Sequence, residues 1–165
     1  MFNKLKSLFV VKYFYVIVLL VLLDQVSKWY IKTNFLLHQS KQLTSFLAIT
    51  YVTNTGISFG LFEGNNLFFI IVISGVLVFL ILSSEKIIRD FGEGTELALL
   101  LIVSGGIGNL LDRVFVGKVI DFIDLQMNYK NIWPVFNFAD SYVFIGMSFL
   151  VLKYLLSKVK LKGER

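Results

Sequence analysis

Long apolar stretches alternate with polar segments along this chain, and four of them are candidates to cross a lipid bilayer. The most uniform stretch covers residues 67–84 and contains no charged residue. The other three cover residues 9–30, 97–113 and 138–156. Because a helix needs about 20 largely apolar residues to span the hydrocarbon core, the pattern predicts four transmembrane helices. With modest loops between them, we expect residues 1–165 to form a single membrane domain.

The first apolar stretch ends in polar residues. Residues 13–23 alone are too short to span a bilayer, so Asp24, Gln25 and Lys28 must lie on the last turns of the same helix. An ionised side chain costs about 3 kcal/mol at the bilayer centre and less near the interface. Asp24 should therefore lie toward one end of the span. Lys28 follows it by four residues, which is the favourable order for an ion pair on one helix face.

The segments between the helices differ in character. Residues 47–53 (LAITYVT) are rich in β-branched and aromatic residues and precede the turn-like NTGISFG at residues 54–60. We expect a small β-sheet or loop element, over residues 35–64 and 114–136, outside the hydrocarbon core. Residues 114–124 are interpreted as a short hairpin or loop turning at Gly117. Residues 85–96, which are charged and contain glycine, are interpreted as an aqueous loop.

Composition supports a membrane protein and excludes several kinds of site. Hydrophobic residues make up 56% of the chain, charged residues 16%, and the mean hydropathy is +0.77. Without cysteine and with His38 as the only histidine, the chain has neither a thiolate or histidine metal site nor a Ser-His-Asp triad. The net charge of +5 comes from Lys and Arg residues that flank apolar runs, so we expect no nucleic-acid partner.

The positions of Lys and Arg predict the orientation of the chain. Ten of the sixteen lie on the side that holds both termini and the 84–96 segment, and six lie on the other side. Both termini should therefore be cytoplasmic.

Five of the six aspartates fall on the predicted outer side; Asp90 does not. Ionisable groups from four separate segments converging at one depth of a membrane protein indicate a functional site. The residues that share this side include Asp24, Asn54, Asn109, Asp112, Arg113, Asp121 and Asp140. Asn109, Asp112 and Arg113 share one helix face by their spacing, and Ser104 and Gly108 form a small-residue pair that lets another helix approach closely.

Two aspartates are the strongest candidates for chemistry. Asp121 lies in the apolar run VIDFI, where a carboxylate is costly to bury unpaired. Asp140 has a local explanation, because Asn137 and Asp140 have the spacing of a capping box at a helix start. If Asp121 and Asp140 meet, their repulsion makes them share one proton, which suits acid–base hydrolysis of a peptide.

Two other functions compete with peptide hydrolysis. Asp112, Asp121 and Asp124 provide the hard oxygen ligands that Mg²⁺ prefers, which indicates a lipid head-group transferase. The same aspartates could belong to an ion or proton pathway through the bundle. Such a pathway needs a polar route through the other half of the membrane, where the predicted helices are apolar.

Five ordered segments of the chain resemble the lipoprotein signal peptidases (signal peptidase II) of bacteria. They are DQVSK (24–28), NTGISFG (54–60), GGIGNLLDR (105–113), VIDF (119–122) and FNFADS (136–141). Ile57, Ser58 and Ile107 depart mildly from the family pattern, in positions that concern packing.

The resemblance implies an aspartyl endopeptidase of the bacterial cytoplasmic (inner) membrane, with its active site at the outer face. Its substrate would be a prolipoprotein already carrying diacylglycerol, cut just before the lipidated cysteine while its acyl chains remain in membrane lipid. No metal or other cofactor and no oligomer would be required. By resemblance, Asp121 and Asp140 are catalytic, Asn54, Gly56, Asn109, Arg113 and Asn137 orient the substrate and the aspartates, and Asp24, Lys28 and Asp112 support the site.

Overall fold

The structure is a computed structural model that describes residues 6–56, 64–127 and 129–163, with side chains described between residues 9 and 156. Ile57, Ser58 and the rest of the predicted turn at residues 57–60 lie outside the described residues. The same holds for the side chains of the lysines and the arginine beyond residue 156.

Four long helices form the bundle, and each contains a segment long and apolar enough to cross a membrane. The predicted fold class, four membrane helices with a small sheet, is confirmed. The helices are α1 Lys6–Asn34, α2 Asn66–Phe91, α3 Thr95–Phe115 and α4 Phe138–Gly163.

Helix α3 lies at the centre of the bundle and packs against the other three helices. In an apolar stretch of 18 residues of α3, 56% of the residues are buried, compared with 17%, 17% and 11% in the corresponding stretches of α1, α2 and α4. The outer three helices therefore expose most of their apolar side chains, as expected where lipid covers the surface. Helix α3 also contacts β3 of the sheet described below, so its end lies between the helices and that strand.

Small residues let α4 approach α3 closely. A Cβ added to Gly105 would lie 2.2 Å from the carbonyl oxygen of Ala139, which leaves room for no side chain. A Cβ on Gly108 would lie 3.1 Å from the Cβ of Ala139 and 2.6 Å from Asp24 Oδ2. The predicted close approach is thus present at Gly108, and Gly105 makes a closer one. Ser104 is buried and donates its hydroxyl to Leu100 O within the helix, at 2.7 Å.

Helix α2 is longer than its apolar stretch. Residues 85–91, predicted to belong to a loop, are helical, and the helix ends at Gly92 with φ 75°. Charged residues with good helix propensity continue the helix beyond the apolar span, so the change in polarity does not mark its end. Lys153 of α4 donates to the carbonyls of Phe91 and Glu93 at this end.

A four-stranded antiparallel sheet joins the helices at the other end of the bundle. Its strands, in spatial order, are β1 Ser40–Thr44, β2 Leu47–Asn54, β3 Val119–Met127 and β4 Lys130–Asn131. The predicted strand at 47–53 is confirmed. At residues 114–124 the predicted turn at Gly117 is present, with φ 81°. The hairpin alternative is wrong, because α3 continues to Phe115 and β3 pairs with the distant β2.

The register of β2 and β3 matters for the site. Asn54 pairs with Val119, and Val52 pairs with Asp121. Ile120 and Phe122 on β3 pack with Ile31 of α1 in a buried cluster. The sheet is therefore fixed to the end of α1. Asp121, between Ile120 and Phe122, points to the other face of the strand, where it meets Asn137 just before α4.

Candidate active site

Asp121 is a buried carboxylate on β3, with 3% of its surface exposed. The side-chain amide of Asn137 donates a hydrogen bond of 2.7 Å to Asp121 Oδ1. Burial, and then the nearby charge of Asp140, raise the pKa of Asp121 to about 7, although Lys28, Asn137 and Asn54 oppose the shift. The carboxyl group of Asp121 can therefore hold or release a proton near neutral pH.

Asp140 lies in the first turn of α4 and belongs to the predicted capping box, which is confirmed. Asn137 Oδ1 accepts from the backbone N–H of Asp140 at 2.8 Å, and Asp140 Oδ2 accepts from the backbone N–H of Asn137 at 3.2 Å. The other carboxylate oxygen, Oδ1, accepts from Asn109 Nδ2 at 2.7 Å. Both oxygens of Asp140 are thereby fixed at the helix N-terminus.

Asn137 connects the two aspartates, since it donates to Asp121 through its side chain and to Asp140 through its backbone. It is completely buried. Two carboxylates held against one residue repel each other when both are ionised. The arrangement favours a state in which the pair holds one proton, so that one carboxyl is an acid and the other a base.

A buried ion-pair network lies behind the aspartates. Lys28 Nζ is 2.8 Å from Asp24 Oδ2, 3.0 Å from Asp112 Oδ2 and 3.0 Å from Asn109 Oδ1, with about 2% of its side chain exposed. The predicted pairing of Asp24 with Lys28 is confirmed. Lys28 neutralises part of the charge of two carboxylates and holds Asn109, which in turn binds Asp140.

The same network fixes the backbone of the neighbouring elements. Asp24 Oδ1 accepts from the backbone N–H of Ala139 at 2.9 Å, and Asp112 Oδ2 accepts from the backbone N–H of Ile120 at 3.1 Å. Each of these N–H groups belongs to a residue next to a candidate catalytic aspartate. The network thus joins α1 and α3 to the residues beside Asp140 and Asp121.

Arg113 fixes the segment that follows β2. Its Nη2 donates to Gly56 O at 2.5 Å, and its guanidinium lies over the ring of Phe69 at 4.7 Å. Asn54 Oδ1 accepts from Gly56 N at 2.9 Å, which closes a tight turn. Arg113 Nε is buried and has no hydrogen-bond partner among the described residues.

The structure brings all ten predicted site residues to one end of the bundle. It also adds two side chains that the motifs did not single out for a role. Gln25 donates to Asp112 Oδ1 at 3.0 Å and to Gly108 O at 3.1 Å, and Asn66 donates to Arg113 O at 2.9 Å. Gln25 lies next to Asp24 in the DQVSK segment, so the sequence could have indicated its role. Asn66 lies in none of the five segments that resemble the family, so nothing in the sequence indicated its role.

The three aspartates that were candidates to bind Mg²⁺, Asp112, Asp121 and Asp124, do not form one cluster. Asp124 points to a separate polar cluster, where Thr50 Oγ1 and Gln126 Nε2 donate to its Oδ2 at 2.7 and 2.8 Å. Asp112 is occupied by Lys28. Among the described residues, no group of three or more His, Cys, Asp or Glu side chains has the geometry to hold a metal ion.

Apolar packing separates the network from the other end of the bundle. A buried cluster that includes Ile17, Leu77, Leu99 and Val103 fills the space between α1, α2 and α3. Among the described residues between 9 and 156, no chain of polar side chains crosses this cluster. The structure therefore gives the ion-pathway hypothesis no support.

An apolar groove of about 900 Å³ leads away from the aspartates between α2 and α4. Asn109 and Asp140 lie at its polar end, and Val76, Ile102 and Met147 are among the apolar residues farther along it. Gly106 lines it beside Leu77, where an added Cβ would be only 2.8 Å from Leu77 Cδ2. The groove could hold a hydrocarbon chain whose polar end reaches the aspartates.

Comparisons with known proteins show which proteins this chain is similar to. Residues 16–156 match the family model of signal peptidase (SPase) II. The lipoprotein signal peptidase of Wigglesworthia glossinidia brevipalpis is 39% identical over 142 residues, covering 84% of this chain and 90% of its own. That of Halalkalibacterium halodurans is 36% identical over 155 residues, covering 93% and 97%. A bacterial membrane enzyme structure solved at 2.3 Å matches with a TM-score of 0.74 and 32% identity over 92% of each chain.

Proposed function

Because the chain belongs to the signal peptidase II family, we propose that it is an aspartic endopeptidase that cleaves diacylglyceryl-modified prolipoproteins just before the lipidated cysteine. The family supports a peptidase that acts on the signal peptides of prolipoproteins. Beyond this, we propose the aspartic mechanism and the point of cleavage. The observation that carries the mechanism is that Asn137 hydrogen-bonds both Asp121 and Asp140.

The two carboxyl groups divide the chemistry between them. The ionised carboxylate accepts a proton from a water molecule, whose oxygen then forms a bond to the scissile carbonyl carbon. The protonated carboxyl donates its proton to the carbonyl oxygen and stabilises the tetrahedral intermediate. When the C–N bond breaks, the carboxyl that took the proton from water passes it to the leaving nitrogen. The other carboxylate takes a proton back from a hydroxyl of the intermediate, so that the pair again holds one proton. The products are a free carboxyl group on the signal peptide and a free amino group on the lipidated cysteine.

The neighbouring residues position these groups. Asn137 and Asn109 hold Asp121 and Asp140 in fixed orientations, and Lys28 anchors Asn109. Because these bonds exist before substrate binds, little reorganisation is needed during the reaction. Arg113 and Gly56 shape the adjoining turn, whose geometry we propose orients the substrate backbone.

We propose that the lipid part of the substrate binds in the apolar groove. A diacylglyceryl group on cysteine would place its acyl chains between α2 and α4 while the peptide bond lies at the polar end, next to Asp140. We further propose that this end faces the outside of the cytoplasmic membrane and that both termini are cytoplasmic, as the distribution of Lys and Arg predicts. Neither a metal ion nor a second subunit has a role in this scheme.

The proposal is tested with purified protein in detergent and a lipobox peptide that carries diacylglycerol on its cysteine. Mass spectrometry should show one new carboxyl terminus, immediately before the lipidated cysteine. The same peptide without lipid should be cleaved at least about tenfold more slowly, because it lacks the apolar binding energy of the acyl chains. A chelator should leave the rate unchanged. Loss of cleavage with the chelator, restored by Mg²⁺, would show that the reaction depends on a metal ion and would contradict the aspartic mechanism.

A further inference from the structure

A second groove lies at the end of the bundle opposite to Asp121 and Asp140, where α1 and α3 begin and α2 ends. We call it the distal groove; the residues that line it include Phe9, Lys12, Tyr13, Glu85, Arg89 and Glu96. Its volume is about 480 Å³, within the range of about 300–1,000 Å³ found for small-molecule sites. None of these residues takes part in the proposed peptidase reaction.

The distal groove carries charges of both signs in equal number. Lys12 and Arg89 are cationic, and Glu85 and Glu96 are anionic. Lys12 Nζ lies 3.8 Å from Glu96 Oε1, near the outer limit of an ion pair, and 59% of the lysine side chain is exposed. Within the described side chains, Glu85 and Arg89 form no ion pair. These four groups thus have donors and acceptors available for a ligand.

Aromatic and apolar surface adjoins the charges. The rings of Phe9 and Tyr13 lie 5.2 Å apart, and Lys12 Nζ lies 4.9 Å from the centre of the Tyr13 ring. Farther along α1 and α2, Val16 and Leu82 expose apolar side chains where the helices cross the hydrocarbon. A ligand with a charged head and an apolar tail fits this combination, because both ends find a matching surface.

We propose that the distal groove binds the head group of a membrane phospholipid that carries both a phosphate and a primary ammonium group. Arg89 and Lys12 would donate to the phosphate oxygens, as Arg does in planar, charge-assisted contacts. Glu85 and Glu96 would accept N–H bonds from the ammonium. A purely anionic head group would bind Arg89 and Lys12 but would bring no cation for the carboxylates of Glu85 and Glu96. A quaternary ammonium has no N–H to donate to them.

The test is native mass spectrometry of the full-length protein with phosphatidylethanolamine, phosphatidylcholine or phosphatidylglycerol of identical acyl chains. Phosphatidylethanolamine should show about tenfold higher apparent affinity than either of the others, because only it satisfies both sets of charges. Equal affinity for the three lipids would overturn the proposal.

Two variants localise the binding. Arg89→Gln should lower the affinity for phosphatidylethanolamine about tenfold by removing a charge-assisted contact. Lys86→Gln removes the same charge from an exposed neighbour outside the groove and should leave the affinity unchanged. An equal effect of the two variants, or none from Arg89→Gln, would contradict the site. If Arg89→Gln fails to fold, the comparison of lipids on the unaltered chain decides.

Discussion

Replacing Asp121 or Asp140 by asparagine is expected to reduce kcat by about 10²–10⁴-fold, the usual contribution of a positioned acid or base. Asparagine nearly matches the size of aspartate but can neither accept the proton of water nor donate one to a carbonyl oxygen. The double variant should be scarcely worse than either single variant, because the two carboxyls act as one unit. Turnover of the lipidated peptide by the purified variants measures this.

A matched control lies on the same strand as Asp121. Asp124 is also buried and also hydrogen-bonded, but to Thr50 and Gln126 instead of Asn137. Asp124→Asn should keep kcat within about threefold of the unaltered chain, since the residue touches neither candidate catalytic group. Full turnover by both Asp121→Asn and Asp140→Asn would disprove the dyad.

Removing Lys28 should have the largest effect on stability. Lys28→Met leaves Asp24 and Asp112 buried without their shared cation. Breaking a buried ion pair in this way costs about 3–5 kcal/mol in the free energy of unfolding. Activity should fall as well, because Asn109 loses the contact that holds it against Asp140.

The stability effect is measured by denaturant or SDS titration of the protein in mixed micelles. Lys32→Met is the control, because Lys32 lies one turn farther along α1 and is exposed. It should change the unfolding free energy by less than about 0.5 kcal/mol, as exposed substitutions usually do. Equal stability of the Lys28 and Lys32 variants would show that the network does not hold the helices together. Lys28→Met combined with Asp24→Asn and Asp112→Asn should recover part of the loss, because fewer buried charges remain unpaired.

Local patterns in the sequence were enough to predict the helices and the capping of α4. Hydropathy identifies a membrane span directly, and the three-residue spacing of Asn137 and Asp140 defines a capping box. The end of α2 could not be predicted from hydropathy, because the charged residues that follow the apolar stretch are also good helix formers.

Contacts between segments that lie far apart in the chain could not be predicted from local patterns in the sequence. The pairing of β3 with β2 joins residues far apart in the chain, and a local hairpin fits the same pattern. The spacing of Asp24 and Lys28 predicted their ion pair, but the second partner, Asp112, depends on how α1 and α3 pack. Similarly, Asn137 was identifiable as a helix cap, whereas its bond to Asp121 follows from the position of the sheet.

The pH dependence of kcat/KM for the lipidated peptide tests most directly whether Asp121 and Asp140 work as a pair that shares one proton. Because the pKa of Asp121 is raised to about 7, the proton is present below that pH and is lost as the pH rises through it. We expect kcat/KM to fall about tenfold per pH unit above about pH 8, where both carboxyls are ionised and no acid remains. His38→Asn, at an exposed position with φ 67° that asparagine tolerates, should leave this profile unchanged and so exclude the only histidine as its origin. A kcat/KM that stays constant or rises between about pH 6 and pH 9 would contradict the shared proton.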